Sequence, residues 1–154
     1  MKASAMSQYH AIATAVIKAP AERVYSILAD YQVGHPAILP KPYFSGLSVE
    51  QGGRGAGTVF VTRMQVMGAE RSFHMTVTEP QPGRVMVESD GITTTTFTVE
   101  PKGGAQCRVT ITTDVRPSPG LQGWIERLFT PPFLRRVYRQ ELLNLMERAT
   151  GPNS

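Results

Sequence analysis

The chain holds a single cysteine, Cys107, so neither an intramolecular disulfide nor a cysteine-based metal cluster can form. Cys107 sits in the alternating run CRVTITTDV, where a buried, inert thiol is expected in place of a nucleophile. No apolar run approaches the roughly 18 residues a membrane helix requires. The opening MKASAMSQYHAIATAVIKA is interrupted by Ser4, Ser7, Gln8 and His10 and offers no signal-peptide core. These absences give the expectation of a cytoplasmic protein with no transmembrane segment.

Metal and phosphate chemistry are equally thin. Of the three histidines, His10 and His74 fall at strand positions expected to face solvent and His35 lies in a proline-rich loop, so no two have ligand spacing and no metal or other cofactor is expected. GGRGAG lacks the Gly-Lys-Ser/Thr of a phosphate loop and lies between strand-like runs, so it reads as a turn. There is no nucleophile elbow and no kinase signature. The formal charge of +4 comes from 16 basic residues spread from Lys2 to Arg148 among 12 acidic ones, with no basic patch. Nucleic acid is therefore not the expected partner.

What is present suits a folded domain. A chain of 154 residues with 41% apolar composition and no repeat can bury a substantial core, so 1–154 is expected to form one domain, ordered over about residues 8–149. Tyr9 to Lys18 alternates at period two and reads as a strand. Ala19-Pro20 ends it, and PAERVYSILADY continues as a helix through Val24, Ile27, Leu28 and Tyr31. GHPAILPKPY allows only a short helical turn around Ala37 to Leu39. Six strand-like runs follow, at Phe44 to Glu50, Thr58 to Met67, Arg71 to Glu79, Arg84 to Ser89, Thr93 to Glu100 and Gln106 to Val115, joined by Gly- and Pro-rich turns. Leu121, Trp124, Ile125 and Leu128 then recur at helical spacing. After Thr130-Pro-Pro the pattern resumes at Leu134, Tyr138, Leu142, Leu145 and Ala149, so the prolines predict a break or kink between a short helix and a longer one. Arg135, Arg136, Arg139, Glu141, Glu147 and Arg148 fall between those positions and read as the solvated side.

This order resembles the helix-grip fold of the START-like, or SRPBCC, superfamily, including its polyketide cyclase/dehydrase and lipid-transport-like branch. IKAPAERVYSILADY resembles the family's opening strand and helix, EPQPGRVMVES its turn between middle strands, and TTFTVEPKGGAQCRVTI its last hairpin. The resemblance covers about residues 8 to 149 and implies an α+β fold: a curved antiparallel β-sheet wrapped around a long C-terminal α-helix, with one or two short helices after the first strand. It also implies a cavity between sheet and helix.

With such a cavity, the larger apolar residues should point inward: Phe73, Met75 and Val77, then Val85 and Val87, Phe97 and Val99, Val109 and Ile111. In the run ITTTTF, Thr93 and Thr95 share the face of Phe97, whereas Thr94, Thr96 and Thr98 face water. Thr93 and Thr95 then either bond backbone or water or orient the polar part of a ligand. Arg63 and Arg71 on the long central strands are the charged groups placed to reach the cavity or its mouth, if they are not solvated strand charges. Leu134 and Tyr138 face it from the final helix, where Tyr138 fits core packing and could also supply a hydroxyl. Three functions follow from the implied fold. One is binding or carrying of a small hydrophobic molecule such as a lipid, quinone or polyketide-like aromatic; another is aromatase/cyclase-type catalysis on a poly-β-keto substrate in the same cavity. The third is a protein-interaction module, for which an exposed apolar patch would speak.

Overall fold

The computed structural model describes residues 8–152. The chain runs β1 (Tyr9–Ile17), α1 (Ala21–Ala29), α2 (Gly34–Ile38), β2 (Phe44–Gln51), β3 (Val59–Val66), β4 (Ala69–Gln81), β5 (Val85–Ser89), β6 (Thr93–Pro101), β7 (Cys107–Val115) and α3 (Leu121–Thr150). All seven strands join one antiparallel sheet in the order β1-β7-β6-β5-β4-β3-β2. Strands β2 to β7 are the expected meander, and β1 closes the free edge of β7 in full register from Tyr9 opposite Val115 to Ile17 opposite Cys107. The curved sheet and long terminal helix are the helix-grip arrangement.

Alternation in the sequence sets which face is buried. Along β1, Tyr9, Ala11, Ala13 and Ile17 are buried while His10, Ile12, Thr14 and Val16 are exposed. The small alanines let a helix come close, and the α3 backbone packs on β1 and, beyond it, on α1 and α2. Val24, Ile27 and Leu28 of α1 face the same core, in which Leu28, Ile17 and Ile38 are wholly buried. Each such side chain contributes about 1.5–3 kcal/mol by leaving water. Cys107 is buried in that core, and burial, with a smaller contribution from the Glu22 charge, pushes its thiol pKa up, away from reactivity.

Two expectations are corrected. The prolines do not divide the last helix: α3 is a single 30-residue helix running through Pro131 and Pro132. Proline's fixed φ is compatible with helix, and although two amide donors are lost, buried Thr130 and Leu134 on either side anchor both halves. The apolar residues of its first turns face outward, with Trp124 68% and Leu128 65% exposed, while Gly123 and Thr130 take the inner side. Helical spacing shows that such residues share a face but not which way it points.

The second correction is in β5. Its inward residues are Met86 and Glu88, and Val85 and Val87 lie on the outer face, because Met86 is opposite Phe97 and Val87 opposite Thr96. A register irregularity between Thr78 and Gln81 on the neighbouring strand shifts the pairing from Thr78 with Val87 to Gln81 with Val85. In a five-residue strand whose buried position 88 is a glutamate, hydrophobicity marks the wrong face.

Candidate functional site

A cavity of about 390 Å³ lies between the concave face of the sheet and α3. It exists because α3 rests on the alanine-faced strand β1, so the strands further along the sheet carry their inward side chains over open space. Phe60, Met64, Phe73 and Met75 form this apolar wall, facing one another across β3 and β4, with Leu134 opposite on the helix. Exposed Met67 and Ile92 and the polar residues Arg71, Arg116 and Glu126 stand at its outer end.

The inner end is polar. Val77, Glu88, Thr95 and Thr113 form one inward row across β4, β5, β6 and β7. Thr95 and Thr113 share a hydrogen bond of 2.8 Å, and Thr113 shares one of 2.5 Å with the Tyr138 hydroxyl. The Tyr31 hydroxyl donates to Glu88 Oε2 at 2.5 Å. His35 stands 3.5 Å from the same oxygen through Nε2, and its Nδ1 donates to the Leu28 carbonyl at 2.7 Å.

Local sequence places these groups. Asp30 leaves α1 and its carboxylate accepts the amides of Gln32 and Val33, while its carbonyl accepts the His35 amide at 2.7 Å, winding the chain into α2. The imidazole is then fixed by stacking on Tyr31, with ring centres 4.6 Å apart, and by the edge-on ring of Phe97. Glu141 follows Tyr138 by three residues and Leu134 by seven, so helical spacing puts its side chain on the buried stripe of α3.

Both carboxyls are displaced from ordinary behaviour. Burial raises the Glu88 pKa despite the opposing pull of His35 and the Tyr31 hydrogen bond. Burial and the nearby Glu88 charge hold Glu141 well above the usual carboxylate range. Tyr138 is likewise raised, chiefly by burial, so its hydroxyl stays protonated. The inner end thus brings carboxyls whose neutral forms are favoured and protonated hydroxyls to one end of an apolar-walled cavity, suited to hydrogen-bonding the oxygen of a bound molecule.

Of the residues expected at a site, Arg71, Phe73, Met75, Thr93, Thr95, Phe97, Leu134 and Tyr138 all line the cavity. Ile111 faces the same way, paired with Phe97, but is wholly buried in the core outside the cavity lining. Val87 is on the opposite face of the sheet, for the register reason given above. Arg63 also points away: Thr62 and Met64 flank it on the inner face, and its side chain is 65% exposed, 4.0 Å from Glu70. A charge on an alternating strand takes the solvated side when its neighbours can fill the core.

The sequence reading missed His35, Glu88 and Glu141. Glu141 reads as solvated among its charged neighbours, although its spacing from Leu134 and Tyr138 carried the signal. His35 and Glu88 carried none, since a proline-rich loop has no period and β5 reads in the wrong phase. Among the described residues no group of three or more His, Cys, Asp or Glu is placed to hold a metal ion, and no helix is long and apolar enough to cross a membrane.

The family model described as polyketide cyclase / dehydrase and lipid transport matches residues 9–150. No curated protein matches the sequence. Among solved structures, the KanY protein is 31% identical, with a TM-score of 0.81 over 95% of this chain and 100% of that one. A protein from Thermus thermophilus is 22% identical with a TM-score of 0.74, covering 94% and 99% of the two chains. The Zhui aromatase/cyclase from a Streptomyces species is 18% identical with a TM-score of 0.75 over 92% of this chain and 93% of its own. At those last two identities the likeness is one of fold.

Proposed function

The chain belongs to the polyketide cyclase / dehydrase and lipid transport family, and from that premise we propose that it binds or carries a small hydrophobic molecule between sheet and α3. The ligand classes that fit are a lipid, a quinone or a polyketide-like aromatic. The observation that carries this reading is the cavity of about 390 Å³, apolar along its walls and polar at its inner end. Small-molecule sites commonly have about 300–1,000 Å³ and a few placed polar groups in apolar walls. Native mass spectrometry of protein purified from its own host should show a co-purifying apolar compound. Empty spectra, with no enhancement of a hydrophobic fluorescent probe, would end this reading.

A second reading, aromatase/cyclase-type catalysis on a poly-β-keto chain, is favoured by one specific arrangement: two buried carboxyls and the Tyr138 hydroxyl at the same end of the cavity. Ring closure of such a chain needs a base for a proton on a carbon between two carbonyls and an acid for the oxygen that takes up the electron pair. The Glu88 and His35 pair can receive that proton, and Glu141 or Tyr138 can supply one. Under this reading Glu88→Gln abolishes turnover while ligand affinity stays within a few-fold. Unchanged turnover in Glu88→Gln excludes that role for the residue.

A further inference from the structure

Glu141 is a polar side chain of the inner end whose carboxyl is given no hydrogen bond by the described residues of the protein. It is only 2% exposed, it lines the cavity, and no group among the described residues hydrogen-bonds its carboxyl. Its neighbours at that end are already engaged: Glu88 by Tyr31, His35 by Leu28, and Tyr138 by Thr113. Among the described residues no side-chain oxygen or nitrogen that is wholly enclosed lacks a partner, so the unbonded Glu141 carboxyl is open to the cavity it lines, and the cavity is the side from which a partner can arrive.

We propose that Glu141 is the ligand-recognising residue of the cavity, its carboxylic acid donating a hydrogen bond to a neutral acceptor oxygen, such as a ketone or quinone carbonyl, at the inner end of an otherwise apolar aromatic ligand. This rests on the ligand-binding reading above and narrows it to a substrate class. Apolar walls and the adjacent Glu88 carboxyl favour the protonated form of Glu141, and a protonated carboxyl donates. An anionic head brought to the same place would meet two carboxyls, with His35 already set against Glu88, so carboxylate ligands are disfavoured there. Arg71 and Arg116 lie at the other end, at the mouth.

The test uses a matched set of probes on the full chain, namely naphthalene, 2-acetylnaphthalene, 2-naphthoate and 2-naphthylmethylammonium, with affinities measured by calorimetry. The wild type should bind the ketone about tenfold more tightly than the hydrocarbon, the scale of one well-made hydrogen bond in a desolvated site, and should bind the naphthoate weakest. Glu141→Gln, which keeps a donor and the volume, should keep the ketone preference; Glu141→Leu should lose it while still binding naphthalene. A ketone preference that survives in Glu141→Leu overturns the proposal, as does an ammonium probe that binds best and loses its advantage in Glu141→Gln. If Glu141→Leu does not fold, the wild type alone decides. The carbonyl stretch of bound ¹³C-labelled ketone should lie below its value in hydrocarbon solvent, and an unshifted band refutes the assignment. Absence of binding for all four probes removes the ligand-binding reading itself, whereas equal binding of ketone and hydrocarbon removes only the role of Glu141.

Discussion

His35 Nε2 lies 3.5 Å from Glu88 Oε2 while the Nδ1 of the same ring is bonded to the Leu28 carbonyl at 2.7 Å. A carbonyl can only accept, so Nδ1 carries hydrogen and a neutral His35 turns its lone pair toward the glutamate. Nε2 thus faces the carboxyl at ion-pair distance, and the two residues come from a short helix and a strand far apart in the chain. Tyr31 completes the group by donating to the same carboxyl oxygen.

Removing that donor should be felt in stability. Tyr31→Phe keeps the ring stacked between His35 and Phe60 but deletes the hydroxyl that bonds Glu88. The expected loss is about 1–3 kcal/mol, the cost of leaving a buried carboxyl without its hydrogen-bond donor. Urea unfolding measures it, and the double variant Tyr31→Phe with Glu88→Gln should lose less than the sum of the two.

The buried carboxyls also set a pH dependence. Folding raises the pKa of Glu88 and, further, of Glu141 above the ordinary carboxylate value of 4.5. Over the range from there up to their folded values the native state binds more protons than the unfolded chain. Stability contributed by these groups is thus fully present below about pH 4.5 and declines as pH rises, by at most about 1.4 kcal/mol per pH unit for each proton. Urea midpoints between about pH 5 and 8 should fall in the wild type and fall less steeply in Glu141→Gln. An identical slope in the two proteins excludes Glu141 as a source of the dependence.

How much of this was written in the sequence differs by element. Strands β1, β6 and β7 alternate without interruption, so period alone puts Phe97, Thr95 and Ile111 on their true face. β5 has five residues, a buried glutamate and a register irregularity beside it, and there the larger apolar side chains misled. The first turns of α3 show the limit of periodicity most plainly, since the stripe Leu121, Trp124, Ile125 and Leu128 has regular helical spacing and faces water. The apolar wall of the cavity was legible because apolar residues mark their own burial. Its polar inner end was not, because burial of Glu88, Glu141 and His35 depends on partners from distant segments.

The placement of His35 depends on a close contact one residue away. A Cβ added at Gly34 would stand 2.6 Å from the Ile27 carbonyl oxygen, a backbone atom that cannot swing aside. Gly34→Ala should therefore shift α2 against α1 and cost about 1–3 kcal/mol, as overpacking does. Thermal unfolding should register the loss, and the affinity for any cavity ligand should drop as the His35 and Glu88 contact opens.

The face assignment of β5 makes a contrast between adjacent residues. Met86 is wholly buried opposite Phe97, and truncation to Ala leaves a void worth about 2–5 kcal/mol. Val87 is half-buried on the outer face, so Val87→Ala should cost under about 1 kcal/mol. Reversal of that order in denaturant unfolding would restore the inward placement of Val87.

Glu141 sets stability against recognition. As a nearly buried carboxyl that the protein does not hydrogen-bond, beside a second buried carboxyl, it is a liability to the folded protein, and a leucine of similar size would sit beside Leu134 with no polar group of its own to solvate. Glu141→Leu should raise stability by about 1–4 kcal/mol, the gain seen when buried charged groups give way to packed apolar ones. Because the wild-type carboxyl becomes harder to keep buried as pH rises, the gain should be larger at about pH 8 than at about pH 5. Urea unfolding at both values decides the matter: a variant less stable than wild type at the higher pH would mean that the carboxyl is held by the protein in the absence of ligand, and the reason for assigning it to recognition would be gone.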